Sequence, residues 1–206
     1  LTRLPAKLTV TQIAKKAQED GIHLDTRPAF LQAKGLTPAQ RGTILHSLMQ
    51  YADYEAAEQD LEAEINRLLQ KQYLTQAEAE ALNRKKIRAF FASPLYARMK
   101  SALRIQREYP FLYFLKAGEV DPTLSPDFAE EEILIQGIAD CLIFEESGIV
   151  IVDYKTDYTS DESVLIAQYY DQLRIYKDAV EKAFGIPVRE CLLYSLHLER
   201  SIRIPV

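Results

Sequence analysis

In the first half of the chain, apolar positions recur with a helical period, and each run opens on a residue able to cap a helix. Thr37-Pro38-Ala39-Gln40 is a capping box with proline at the first helical position. The spacing predicts a helix from there through Gly42, His46 and Met49 toward Tyr54, with Ile44, Leu45, Leu48, Met49 and Ala52 as its apolar stripe. Leu61, Ile65, Leu68 and Leu69 predict a second helix. Thr75-Gln76-Ala77-Glu78 opens a third that runs to Phe90 and Phe91, and Ser93-Pro94 caps a short fourth. Around Arg104 the period changes from helical to strand-like. Ile105 to Leu115 is aromatic and branched, with Pro110 forcing a bend or an edge position. After a loop from Ala117 to about Phe128 come two strong strands, Ile133 to Phe144 and Ile149 to Lys155, joined by Glu145-Glu146-Ser147-Gly148. A long helix over Glu162 to Phe184, closed by Gly185 and Pro187, leads to strands near Val188 to Leu198 and Ile202 to Val206. The expected class is α/β: a mainly helical region over about residues 1–103, then an α/β core over about 104–206, within one domain spanning 1–206.

The composition, 206 residues and 48% hydrophobic, supports one full-sized core. No apolar run approaches the roughly 20 residues of a membrane span, and no signal-peptide pattern opens the chain, so a cytoplasmic, membrane-free protein is expected. The start at Leu1 suggests a piece of a longer polypeptide. Cys141 and Cys191 show no metal-ligand spacing and read as buried small hydrophobes. The net charge of −5 is unevenly spread. Ala81 to Arg107 holds eight basic residues, Arg84, Lys85, Lys86 and Arg88 among them, and no acid, whereas Asp53 to Glu64 holds six acids and no Lys or Arg. Exposed charges more than about 8 Å apart are largely screened from each other, so the basic block can meet phosphates whatever the net charge. A solvated helix face explains it equally well.

Side chains alternate along a strand, so Asp153 and Lys155 of Ile151-Val152-Asp153-Tyr154-Lys155 share a face. A turn centred on Glu146-Ser147 sets Asp140 opposite Asp153, and one centred on Ser147-Gly148 sets it opposite Lys155. Both keep the three together, whereas a bulge at Gly148 would separate them. Two carboxylates on an apolar sheet need something positive between them. Lys155 supplies part of it; a divalent metal would supply more, and would permit phosphodiester hydrolysis. A structural Asp–Lys ion pair is the alternative. His46 sits at the edge of its helix's stripe, where a hydrogen-bonded core histidine is the ordinary explanation. Gln172 lies in or beside a stripe of Leu165, Tyr169, Leu173, Tyr176 and Val180, and a buried amide there needs partners. Glu108 is a weaker candidate, adequately explained by pairing with Arg107 or the basic block.

Five segments, in order, resemble the RecB-type branch of the PD-(D/E)XK nucleases: Gly42-Thr43-Ile44-Leu45-His46; Arg107-Glu108-Tyr109-Pro110-Phe111; Gly137-Ile138-Ala139-Asp140; Val152-Asp153-Tyr154-Lys155-Thr156-Asp157; and Tyr169-Tyr170-Asp171-Gln172-Leu173-Arg174-Ile175-Tyr176. Within that branch they look most like the nuclease domain of AddA-type helicase-nucleases, with Leu4-Pro5-Ala6-Lys7-Leu8-Thr9-Val10 resembling its entry. The resemblance implies a restriction-endonuclease-like core with a mixed central sheet flanked by helices. It implies a DNA exonuclease active in double-strand-break processing, using magnesium, with manganese as an alternative ion. His46, Asp140, Asp153 and the backbone carbonyl of Tyr154 would ligate the metal, Lys155 would be the catalytic lysine, Gln172 and Tyr176 would border the site, and Tyr169, one turn earlier, would help place DNA. Implied partners are single-stranded DNA ends, helicase domains of the same polypeptide and an AddB-like partner protein. Ala139 replaces the proline of the fold's name. The cysteines that hold an iron-sulfur cluster in some relatives are absent, so no cluster is expected. The same segments on a degenerate fold that only binds DNA or docks a partner, or on a free-standing exonuclease, are the competing possibilities.

Overall fold

The computed structural model describes residues 7–10, 13, 36–120 and 123–206. Leu4 to Ala6 and most of the stretch before Leu36, part of the expected helical region, lie outside these residues. Among the described residues the first half is helical as the periodicity predicts: α1 (Pro38–Tyr51), α2 (Tyr54–Gln59), α3 (Leu61–Gln70), α4 (Gln76–Ala81), α5 (Arg84–Phe91) and α6 (Pro94–Lys100). Both capping boxes form, Thr37 with Gln40 and Thr75 with Glu78, and Ser93 caps α6. Two breaks differ from expectation. Asp53 accepts from the N–H groups of Glu55 and Ala56 and starts α2, so the first helix stops at Tyr51. Asn83 accepts from the Lys86 N–H and starts α5, dividing the third predicted helix.

The strands are β1 (Lys7–Thr9), β2 (Arg104–Lys116), β3 (Glu132–Glu145), β4 (Gly148–Lys155), β5 (Val188–Ser195) and β6 (Arg200–Ile204). The expected loop after β2 carries two short helical turns, α7 (Ala117–Val120) and α8 (Pro126–Ala129). The six strands form one mixed sheet in the order β1-β3-β4-β5-β6, with β2 also paired to β3. The β1–β3 and β4–β5 pairs are parallel and the rest antiparallel. Pro110 sits within β2, whose only partner among the described strands is β3, so the proline's missing N–H costs no ladder bond on a central strand. The β3–β4 hairpin turns on Glu146-Ser147, pairing Glu145 with Gly148 and Cys141 with Val152, and one further step sets Asp140 opposite Asp153. The one register shift in β4 faces β5, between Ile149 and Val150, and leaves the hairpin undisturbed.

Alternation divides the sheet into two apolar faces. Cys141, Ile143, Val150, Val152 and Tyr154 pack with the helices α1–α6 into a first core. Leu142, Phe144, Ile149, Ile151 and Leu193 pack with α9 (Glu162–Phe184) into a second. Asp161 caps α9 at its start, and Gly185, in the left-handed conformation, closes it. No helix among the described residues is long and apolar enough to cross a membrane.

Candidate active site

At the carboxyl end of β4 the second face turns polar. Asp153 is 1% exposed, and its Oδ2 lies 2.8 Å from Lys155 Nζ. The Lys155 ammonium donates to that oxygen, and Oδ1 accepts from Gln172 Nε2 at 2.8 Å. Gln172 Nε2 also donates to Tyr176 Oη at 3.2 Å, so the amide on α9 has partners in the polar cluster, as a buried amide requires. Asp140 is buried too, its Oδ2 accepting the Tyr154 N–H at 2.8 Å. The Tyr154 ring points into the first core, against Phe90. Tyr169 packs its ring 4.5 Å from Lys155 Nζ and donates its hydroxyl to Asp157 Oδ2 at 2.8 Å, fixing the lysine from below.

α1 brings His46 across the sheet edge to 3.4 Å from Asp140 Oδ1. The same Nδ1 is 4.0 Å from Glu108 Oε1. Glu108 stands across the β2–β3 ladder from Asp140, between the pairs Arg107–Cys141 and Tyr109–Ala139, with a backbone φ of +50°, a conformation uncommon for a side-chain-bearing residue. Its recruitment depends on the β2–β3 register, which the sequence left open; its place in the Arg-Glu-x-Pro-Phe segment was the available signal. Ligand atoms of His46, Glu108 and Asp140 lie within 4.8 Å of one another, the separation expected when each reaches one cation at about 2.0–2.6 Å. This set of two carboxylates and one imidazole fits a divalent metal, with the buried Asp153 carboxylate close enough to act on His46 and Glu108 electrostatically.

The electrostatics follow from burial and crowding. Burial pushes the Asp153 carboxyl up to about 6, with Lys155 pulling the other way and Asp140 adding to the rise. Burial and the Asp140 charge likewise raise Glu108. Burial pulls His46 down, yet the hydrogen bond and charge of Asp140 hold it above its ordinary value. Lys155 behaves the same way: burial lowers it, and Asp153 and Asp140 outweigh that. The cluster is a set of acids that need a cation, beside a lysine and an imidazole whose protonated forms those acids favour.

The basic block has other partners. Arg84 and Arg88 pair with Glu62, and Arg84 also donates to the carbonyls of Ala79 and Leu82. Lys100 pairs with Glu58, and Arg98 with Glu145 and Glu190. The acid-only segment thus neutralises part of the base-only one. Lys85 is exposed, and Lys86 lines a cavity beside the site.

Residues 18–199 match the family described as the PD-(D/E)XK nuclease superfamily. The chain belongs to that superfamily. Proteins named as subunits of an ATP-dependent helicase/nuclease align with almost all of this PD-(D/E)XK chain. The Alkaliphilus oremlandii protein is 34% identical over 98% of the chain, and the Desulforamulus reducens protein 36% over 99%. The Geobacillus kaustophilus protein is 38% identical over 82%. The chain spans under a fifth of the length of these relatives, between 14% and 18%. The sheet of six strands flanked by helices agrees with the restriction-endonuclease-like fold.

Proposed function

We propose that this chain is a magnesium-dependent deoxyribonuclease domain, with manganese able to replace magnesium, that trims DNA ends as part of a longer helicase-nuclease. The observation that carries the proposal is the convergence, from α1, β2, β3 and β4, of His46, Glu108, Asp140 and the Asp153–Lys155 pair on one polar cluster at the end of an otherwise apolar sheet face. His46, Asp140, Asp153 and the Tyr154 carbonyl hold the ion, with Glu108 beside them. The ion supplies charge neutralisation at the phosphate and a lowered pKa for an attacking water. Lys155 directs its ammonium protons at the water and at the charge developing on phosphate oxygens. Gln172 and Tyr176 keep Asp153 in its rotamer, and Tyr169 keeps Lys155 in its own. In the reaction the water gives up a proton to solvent as its oxygen bonds to phosphorus, one phosphorus–oxygen ester bond breaks, and the leaving oxygen takes up a proton from solvent.

Similarity to the helicase/nuclease proteins supports a wider role: DNA ends unwound by helicase domains of the same polypeptide, an AddB-like partner protein, and double-strand-break processing before recombinational repair. End-labelled single-stranded DNA incubated with this chain and magnesium is expected to be cut, with cutting abolished by EDTA and by Asp153→Ala or Lys155→Ala in folded protein. Absence of cutting, with metal and DNA still bound, would instead identify a binding-only member of the fold.

A further inference from the structure

α1 carries His46, and its carbonyl end is closed from outside. The helix has no basic residue in its own last turn, and the N–H of its capping residue Ala52 reaches the Leu48 carbonyl. Beyond that point the chain turns away. Asp53 gives its N–H to the buried Glu64 carboxylate, and Ala56 gives its own to Asp53 Oδ1. The carbonyls of Met49 and Ala52 thereby lose the N–H groups four residues on. Two arginines from other elements close this end. Arg67 on α3 donates to the Tyr51 carbonyl at 2.9 Å. Arg107 on β2 donates from Nη1 to the carbonyls of Met49 at 3.0 Å and Ala52 at 2.6 Å, with its guanidinium 4.6 Å from the centre of the Tyr54 ring. Arg67 stays within the helical layer, where it also holds Glu64, whereas Arg107 comes from the sheet.

The Arg107 backbone pairs with Cys141, so it stands one residue from Glu108 on its own strand and one from Asp140 on the next. We infer that Arg107 is a positioning residue of the metal site: it fixes α1 along its axis against the sheet and so holds His46 at its distance from Asp140. The inference rests on the metal-dependent nuclease function proposed above. Ile44, Leu45, Leu48 and Met49 bury α1 in the first core, but apolar contacts are non-directional and let a helix slide. Hydrogen bonds to two backbone carbonyls are directional and resist that slide. Met49 lies about one turn from His46, so whatever fixes its carbonyl also fixes the height of the imidazole. A slip of one residue's rise, about 1.5 Å, is several times the roughly 0.2 Å by which a metal–ligand distance can vary.

The test is calorimetric titration with magnesium and with manganese. Arg107→Ala should weaken metal binding about 10–100-fold with circular dichroism unchanged. Arg107→Met keeps an aliphatic cover over the Tyr54 ring without a donor, folds where the alanine variant does not, and should lose the same factor. Arg107→Lys restores a donor and a charge and should recover part of the affinity. In a His46→Ala background, Arg107→Ala should cost less than about twofold, because the residue through which it acts is gone. Arg67→Ala leaves the buried Glu64 without its cation and should lower the urea midpoint at least as far, yet leave metal affinity within about twofold. In cutting assays Arg107→Ala should raise the magnesium needed for half-maximal rate and leave KM for DNA unchanged. The slope of log DNA affinity against log salt should also stay the same, since the guanidinium meets carbonyls and not phosphates. Unchanged metal affinity in Arg107→Ala and Arg107→Met, a full further loss in the His46→Ala background, or an equal loss in Arg67→Ala would overturn the inference and leave the nuclease standing. A salt slope lower by about one would make Arg107 a phosphate contact instead. Failure of the unaltered chain both to bind either metal and to cut DNA would overturn the nuclease proposal and the positioning role with it.

Discussion

Asp153 combines near-complete burial with a need for charge. Its carboxyl is pushed up to about 6 by burial against the pull of Lys155. A raised carboxyl pKa favours the metal-free fold fully below the ordinary carboxylate value, and that advantage is lost as pH rises through about 6. Ion and proton therefore compete for this group, and His46, also raised, adds a second competing proton. Apparent magnesium affinity should fall about tenfold per pH unit, or more steeply, below about pH 6. Calorimetry at pH 5 and 7.5 checks this, and equal affinities would remove Asp153 from the ligand set. Gln172→Ala leaves Asp153 Oδ1 without its hydrogen-bond donor and should cost roughly 10–100-fold in metal affinity or turnover, the usual effect of losing a group that orients a ligand, with circular dichroism unchanged. Much of this was legible in the sequence. The period of two put Asp153 and Lys155 on one face, and a short hairpin left few registers for Asp140. Glu108 was legible only as a weaker candidate, because its side chain enters the site through a strand register and a positive φ, neither of which leaves a local pattern.

At the scale of elements, the glycine of the Gly-Ile-Ala-Asp segment has a packing reason. Gly137 pairs with Phe111 across β2–β3, and a Cβ there would come within 2.3 Å of the Phe111 ring. Phe111 in turn packs edge-on against Tyr176, with centroids 5.3 Å apart, so the glycine lets β2 deliver the ring that supports α9 beneath the site. Gly137→Ala should destabilise the chain by about 1–3 kcal/mol in chemical denaturation, the cost of overpacking, and should lower turnover with it. An unchanged denaturation midpoint would show that Phe111 yields without strain. The start and end of α9 were readable because Asp161 and Gly185 mark them chemically. The breaks after α1 and α4 were not, because Asp53 and Asn83 cap from inside runs whose apolar period continues across them.

For the whole molecule, Arg98 ties the helical layer to the sheet. Its guanidinium on α6 reaches Glu145 at the end of β3 and Glu190 on β5, with nitrogen–oxygen distances of 2.6 and 3.2 Å. Arg98→Ala should lower stability by about 1–3 kcal/mol, measured by urea unfolding, because two partly buried carboxylates lose their donor. The salt dependence of DNA binding should not change, because the Arg98 guanidinium is already engaged by these two carboxylates. The first core is a joint construction: Leu48, Ile65, Phe90 and Tyr96 from the helices meet Cys141, Ile143, Val150 and Val152 from the sheet. During synthesis the helical half leaves the ribosome first, with its apolar side turned toward a surface that does not yet exist. The β3–β4 hairpin, closed by a two-residue turn, is the sheet's most local contact and the natural place for folding to begin. The earlier-made half must wait for that hairpin. A nascent chain stalled after Leu103 would be a chaperone's client, and the hairpin that completes the active site is the same one that ends the wait.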